Sequence, residues 1–238
     1  MRDLSVVARL IAEPTRAAML DALVAGRALA AGELARLAGV SPATASGHLA
    51  QLRAGGLVEV VASGRHRYYR LGGPAVAHAM EALAAISPDR PVRSLRQSRS
   101  AAALAAARTC YDHLAGRIGV ALHDALMARG AFAAGYDLTP AGQSLLDGLG
   151  VWVPPSRRPF ARPCLDYTER RPHLAGGLGA ALCARLFDLG WVVQRAVGDR
   201  GLRVTPVGTR GFADVFGIDH DDVHGGDHPA VPAGVRHP

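Results

Sequence analysis

The segment ARTCYDHLAG, residues 107–116, sets Cys110, Asp112 and His113 within four positions, in a chain of 238 residues with only three cysteines. A second segment repeats the chemistry. ARPCLD carries Cys164 and Asp166, and a second HLAG begins at His173. The two cysteines are 54 positions apart and the two histidines 60, so the second copy holds six extra residues, YTERRP, between them. Two thiolates and two imidazoles form a tetrahedral set suited to Zn²⁺. Thiolates also suit softer species such as Cu(I) or arsenite-like compounds. Asp112 and Asp166 are placed either to ligate or to orient a ligating histidine from behind. On a helix, the spacing of three would put Cys110 and His113 on one face. A histidine in the first turn would also feel the positive end of the helix, which favours its neutral, ligating form.

The same residues have plainer uses. Asp112 suits the N-cap of a helix beginning at His113, and cysteine is among the most buried residue types. Cys110 and Cys164 alone would make a redox switch if they lie within disulfide reach. A fixed structural zinc and an organic-ligand pocket between the two copies are further alternatives. Cys183 lies in an apolar stretch and aligns with His123 of the first copy, so core packing is its expected use.

The elements that must position these groups also repeat. HLAGRIGVALHDALMARGAF is followed by YDLTPAGQSLLDGLGV, and HLAGGLGAALCARLFDLGWV by LRVTPVGTRGFADVFGI. Each unit reads as a helix, a hairpin and a second helix, with Thr139-Pro140 and Thr205-Pro206 as N-cap and first-turn proline. The expectation is a pseudo-two-fold domain over 107–218, built from winged-helix-like units at 107–151 and 161–218. It would bring Cys110 opposite Cys164 and His113 opposite His173. Gly116 with Gly119, and Gly176 with Gly179, read as bare helix faces that let two helices approach closely. Residues 87–106 read as a basic linker or connecting helix, with Arg90, Arg93, Arg96 and Arg99 three apart. Residues 219–238, rich in His, Asp, Gly and Pro, read as a disordered tail.

The first 86 residues carry a different pattern. Leu4, Val7, Ala8 and Ile11 have helical spacing, and a second helix opens at Pro14 or Thr15 with Ala18, Leu20 and Leu23 inward. A short third helix ends at Gly39. Ser41 and Pro42 then open a fourth, which Gly55-Gly56 stops. Leu57–Val61 and Tyr68–Leu71 read as strands around the basic turn ASGRHR. Helix, turn, helix and basic hairpin make a winged helix-turn-helix, so the fold class is mainly α with small β-hairpins. The fourth helix offers Ser41, Thr44, Ala45, Ser46, His48 and Gln51 as a small polar face for a major groove, and Arg53 toward phosphate. Arg65, His66 and Arg67 stand at the hairpin tip, suited to the backbone or minor groove.

EPTRAAMLDAL together with ELARLAGVSPATASGHLAQLRAGGLVEVVASGRHRYYRL resembles the DNA-binding domain of the ArsR family of bacterial repressors, over roughly residues 4–86. The resemblance implies a homodimer on a near-palindromic double-stranded operator, paired through the first helix and the helix at 74–86. It also implies repression controlled by an inducer. Two departures matter. The helix before the recognition helix, GELARLAGV, lacks the Cys-x-Cys of many members. Of the Asp, His, His and Glu that others carry after the wing, only His78 and Glu81 fit, and they read as an interface pair. Sensing is therefore expected elsewhere.

The bulk numbers agree. All 27 basic residues are arginine and the net charge is +7, which suits a polyanionic partner. Three cysteines are too few for a disulfide framework. No stretch approaches the roughly 20 apolar residues of a membrane span. Met1–Asp3 leads straight into an amphipathic segment, as expected of a cytoplasmic chain. There is no nucleophile elbow, phosphate loop or HExxH, so an enzyme is the weaker class, although Cys, His and Asp can build a nucleophile and its base. The expected function is DNA-binding transcriptional regulation. A metal or thiol-reactive inducer at the repeat domain would control it, or alternatively an organic molecule or redox state.

Overall fold

The computed structural model describes residues 3–24, 28–63, 66–88, 94–195 and 199–219. Arg65, residues 89–93 and the tail from 220 onward lie outside the described residues. So does the side chain of His66, whose backbone is in a strand.

The first part runs α1 (Leu4–Ile11), α2 (Pro14–Leu23), β1 (Leu29–Ala30), α3 (Ala31–Ala38), α4 (Pro42–Ala54), β2 (Val58–Ser63), β3 (His66–Leu71) and α5 (Pro74–Ile86). Local chemistry sets these boundaries. Glu13 caps α2 by accepting from the Thr15 and Arg16 amides at 3.0 and 2.8 Å, and Pro14 lacks the amide that a first-turn residue would waste. Gly39, at φ 69°, ends α3 in the left-handed region. Ser41 caps α4 through the Thr44 amide at 3.1 Å. The three-stranded antiparallel sheet has the order β1-β3-β2, and β1 was not anticipated. Met19, Leu20, Leu23, Leu34, Ala45, Leu49 and Leu52 fill the core of this part, all at 0% exposure. Ala45 therefore belongs to the core and not to the groove-facing side of α4.

The second part begins with α6 (Leu95–Ala106). Over the span read as the first unit lie β4 (Arg108–Cys110), β5 (His113–Ala115), α7 (Arg117–Ala128), a 3-10 turn at Ala134–Tyr136 and α8 (Pro140–Leu149). Over the span read as the second lie β6 (Arg162–Leu165), β7 (Pro172–Ala175), α9 (Gly176–Asp188), β8 (Val192–Gln194), β9 (Leu202–Val204) and α10 (Pro206–Gly211), which runs into a π-turn at Phe212–Phe216. Thr139 and Thr205 cap α8 and α10 through the Gly142 and Gly208 amides. A second core, around Ile118, Leu126, Leu178, Leu186 and Phe212, spans both units.

Each unit opens with a hairpin, not a helix. His113 lies in a strand and α7 begins four residues later, so Asp112 caps no helix and the helix dipole does not act on His113 as expected. The turn from strand to helix is made by Gly116 and Gly176, whose φ values of 78° and 88° are conformations that side chains rarely adopt. Gly119 and Gly179 also serve a contact other than the expected one. A Cβ on either would fall 2.6 or 2.5 Å from the Leu114 or Leu174 carbonyl oxygen. The bare faces admit strand backbone, not another helix. They also bring the units together: the Gly119 site lies 3.8 Å from His173 Cβ and the Gly179 site 3.3 Å from His113 Cβ.

The parts are joined directly. Tyr111, at the β4–β5 turn, donates its amide to the Val24 carbonyl at 2.8 Å and packs against the first core. No helix among the described residues is long and apolar enough to cross a membrane.

Candidate functional site

Two hairpins meet to build the site. In the first, Cys110 pairs with His113 in the β4–β5 register. In the second, Cys164 pairs with His173 in the β6–β7 register. Directly opposed residues of an antiparallel pair have their Cβ atoms about 4.5–5.5 Å apart on one face of the sheet. This replaces the expected helical spacing, and it explains why separations of three and nine serve one geometry. The first hairpin turns at Tyr111-Asp112. The second keeps the register and accommodates the extra residues in the turn 166–171.

The four side chains converge. Cys110, His113, Cys164 and His173 are 1, 3, 2 and 0% exposed, and their potential ligand atoms all lie within 4.8 Å of one another. The sulfurs are 3.9 Å apart, and the imidazoles stack with centroids 5.0 Å apart at 24°. In a tetrahedral zinc site with Zn–S near 2.3 Å, the sulfurs stand about 3.8 Å apart. His113 Nε2 and both ring nitrogens of His173 are buried without a hydrogen-bond partner. A buried polar atom left unpaired costs about 1–3 kcal/mol, so one nitrogen of each ring, gathered with the two sulfurs, suits a ligand that would satisfy both rings at once.

The electrostatics favour a thiolate here. The Cys110 thiol, together with His113 and His173, holds Cys164 well below the ordinary thiol range, against the opposing effect of burial. Cys110 moves the other way, raised by its hydrogen bond with Cys164, by burial and by the Glu81 charge. The two sulfurs are thus pushed in opposite directions. Burial pulls His113 down, but Asp112 and Cys164 more than offset this and leave it raised.

The aspartates stand behind the centre and are not in the converging set. Asp112 lies 3.3 Å from His113 Nδ1 and takes a bidentate pair from Arg158 at 2.6 and 3.2 Å. Asp166 is fully buried. It accepts from Arg108 at 2.8 Å, from the Gly116 amide at 2.7 Å and from the Thr168 amide and hydroxyl at 2.9 and 2.7 Å. Burial opposes its charge, yet Arg108 and these donors depress it to about 2. Its carboxylate is 3.8 Å from His173 Nδ1, and its main contacts tie one hairpin to the other. Arg108 also lies over the Tyr167 ring at 4.0 Å. Cys183 sits apart in the second core, its thiol pushed up to about 12 by burial.

Sequence reasoning passed over Arg108 and Arg158, and nothing local marks them, because their partners are 58 and 46 residues away. His78 and Glu81, expected as an interface pair, have partners inside the chain. His78 Nδ1 lies 3.8 Å from Cys164 Sγ, and Glu81, 2% exposed, binds Arg200 at 3.0 Å.

On α4, Ser41, Thr44, Ser46, Gln51 and Arg53 are exposed and His48 is half-buried. Gln51 accepts from Arg16 at 2.8 Å, and His48 lies 3.5 Å from Glu13. Arg67, on β3, is exposed.

A family described as a helix-turn-helix domain matches residues 11–61. The chain is 39% identical over 216 residues to YdfF of Bacillus subtilis (strain 168), an HTH-type transcriptional regulator, which covers 88% of this chain and 95% of that one. The chain belongs to the HTH-type transcriptional regulators. The regulator carries a DNA-binding helix-turn-helix, consistent with a transcription factor and not an enzyme. Among solved structures, NolR from Sinorhizobium fredii is 33% identical over 34% of this chain and 81% of its own, with a TM-score of 0.32. The cadmium metal-sensor CMTR from Mycobacterium tuberculosis is 32% identical over 39% of this chain and 100% of its own, also with a TM-score of 0.32.

Proposed function

We propose that this regulator is an ArsR-type homodimeric repressor of a double-stranded operator, and that a soft metal ion or thiol-reactive inducer at Cys110, His113, Cys164 and His173 controls its grip on DNA. The observation that carries the reading is the convergence of these four buried side chains, with a nitrogen of each imidazole left without a hydrogen bond. Asp112 orients His113, and Asp166 locks the hairpins around the centre. The two units act as a duplicated pair, each contributing one sulfur and one imidazole.

On the DNA side, Ser41, Thr44, Ser46, His48 and Gln51 read the groove. Arg53 and the wing residues Arg65, His66 and Arg67 hold the backbone. Pairing through α1 and α5 is supported by Leu4, Val6, Leu83 and Ile86, large apolar side chains left exposed on those two helices.

The test is a titration of the reduced protein with Zn²⁺, Cd²⁺ and Cu(I), read by sulfur-to-metal charge-transfer absorbance, alongside operator affinity. One ion per chain that shifts operator affinity, with both effects lost in Cys110→Ser with Cys164→Ser, is the expected result. Uptake that leaves operator affinity unchanged, while chelation unfolds the second part, would make the centre a fixed structural one. The 3.9 Å between the sulfurs also favours a second reading, a disulfide that forms under peroxide. Two free thiols persisting after mild oxidation would remove it.

A further inference from the structure

The winged-helix part touches a donor atom of the Cys/His centre through His78. This residue stands on α5, its imidazole Nδ1 3.8 Å from Cys164 Sγ. The histidine is exposed whereas Cys164 is 2% exposed, so His78 sits at the solvent edge of the buried centre. Three residues on, Glu81 is buried against Arg200. Arg200 is held by the Tyr167 hydroxyl at 3.0 Å, and the Tyr167 ring lies under Arg108, which binds Asp166. Glu81 therefore anchors α5 to the frame of the centre, while His78 meets the centre itself.

These two contacts respond differently to a bound ion. An ion that takes Cys164 Sγ draws on the same sulfur that His78 Nδ1 meets at 3.8 Å, and so alters that contact. The Arg200–Glu81 pair contains no ligand atom and stays. A ligand shifts a conformational equilibrium only through a difference in interaction between the two states, and His78 supplies that difference one turn before Glu81 on α5.

We infer that His78 is the positioning residue through which ion occupancy of the Cys/His centre moves α5, with the Glu81–Arg200 pair as the pivot. The inference rests on the proposed ion site. Because α5 also carries the exposed Leu83 and Ile86, its movement changes how two copies pair and how far apart their α4 helices stand. Linkage makes the effect reciprocal: operator binding alters ion affinity by the same factor that the ion alters operator affinity.

The experiment uses the full-length protein, Cd²⁺ as the probe and a labelled duplex selected from a random pool by the ion-free protein. Cd²⁺ affinity is measured with and without duplex, for wild type, His78→Ala and His78→Asn. Wild type should show a shift of about 5-fold or more, the lower end of ordinary allosteric coupling. His78→Ala should keep its Cd²⁺ stoichiometry, while the shift falls below about 2-fold. His78→Asn, whose amide can reoccupy the Nδ1 position, should recover part of it. A full shift in His78→Ala overturns the inference and leaves the ion site standing. Loss of Cd²⁺ binding in His78→Ala also overturns it, because His78 would then be a ligand. Failure of wild type to bind Cd²⁺, or to show any shift, overturns the proposed function and this inference with it.

Discussion

The two cysteine–histidine hairpins hold the same pair in the same register but are framed in opposite ways. The turn of the second hairpin is locked from inside: Asp166, fully buried, binds the turn 166–171, the start of α7 and, across to the first hairpin, the equally buried Arg108. The first is framed at the surface, where Asp112 and Arg158 are 30 and 31% exposed, and its tip, Tyr111, plugs into the DNA-reading part. The inner lock therefore ties the two hairpins to each other, and each half also touches the DNA-reading part, the first through Tyr111 and the second through His78. Cross-strand register sets where the ligands stand, and the framing of each turn sets how far they can shift.

Charge deletion should expose this contrast most strongly. Arg108→Met leaves a buried carboxylate unpaired and should cost about 3–5 kcal/mol. Arg158→Met removes a partly solvated pair and should cost about 0–1 kcal/mol. Denaturant midpoints for both would measure the difference, and equal losses would erase it.

The same pair predicts a response to acid. Asp166 has a native value of about 2 against about 3.9 in an unfolded chain. A depressed carboxylate stabilises the fold above its unfolded value, so the contribution is intact above about pH 4. It is lost as pH falls toward 2 and amounts to about 2–3 kcal/mol. Asp166→Asn should flatten the stability profile in that window, and an unchanged profile would refute the assignment.

A subtler effect should treat both halves alike. Gly119→Ala and Gly179→Ala each drive a Cβ into a strand carbonyl and should each cost about 1–3 kcal/mol. Gly148→Ala, in α8 with open space around it, should gain about 0.4–1 kcal/mol. Thermal melts of the three would show whether the two helix–strand contacts are equivalent. The smallest effect is expected from Cys183→Ala, which should leave ion stoichiometry unchanged.

Much of the first part was legible because its signals are local. Ser41 with Pro42, Gly39 and the alternating strands each act within a few residues, and together they spell a winged helix. The chemistry of the centre was legible through repetition of Cys, Asp and His. Its placement was not, because a spacing of three fits a helix face as well as a tight hairpin, and Asp112 has the composition of a helix cap. The glycines misled for a related reason: a bare face says that something approaches closely but not what. Arg108–Asp166 and His78–Cys164 join residues 58 and 86 positions apart, and no periodicity links such pairs before the chain has folded.

The claim that the four side chains form one ion centre is most directly tested by X-ray absorption on the zinc- or cadmium-loaded protein. The account predicts one ion per chain, with two sulfur and two imidazole nitrogen neighbours, at about 2.3 and 2.0–2.1 Å for zinc. An ion surrounded by oxygen or nitrogen alone, or a protein that retains none after gel filtration, would contradict it.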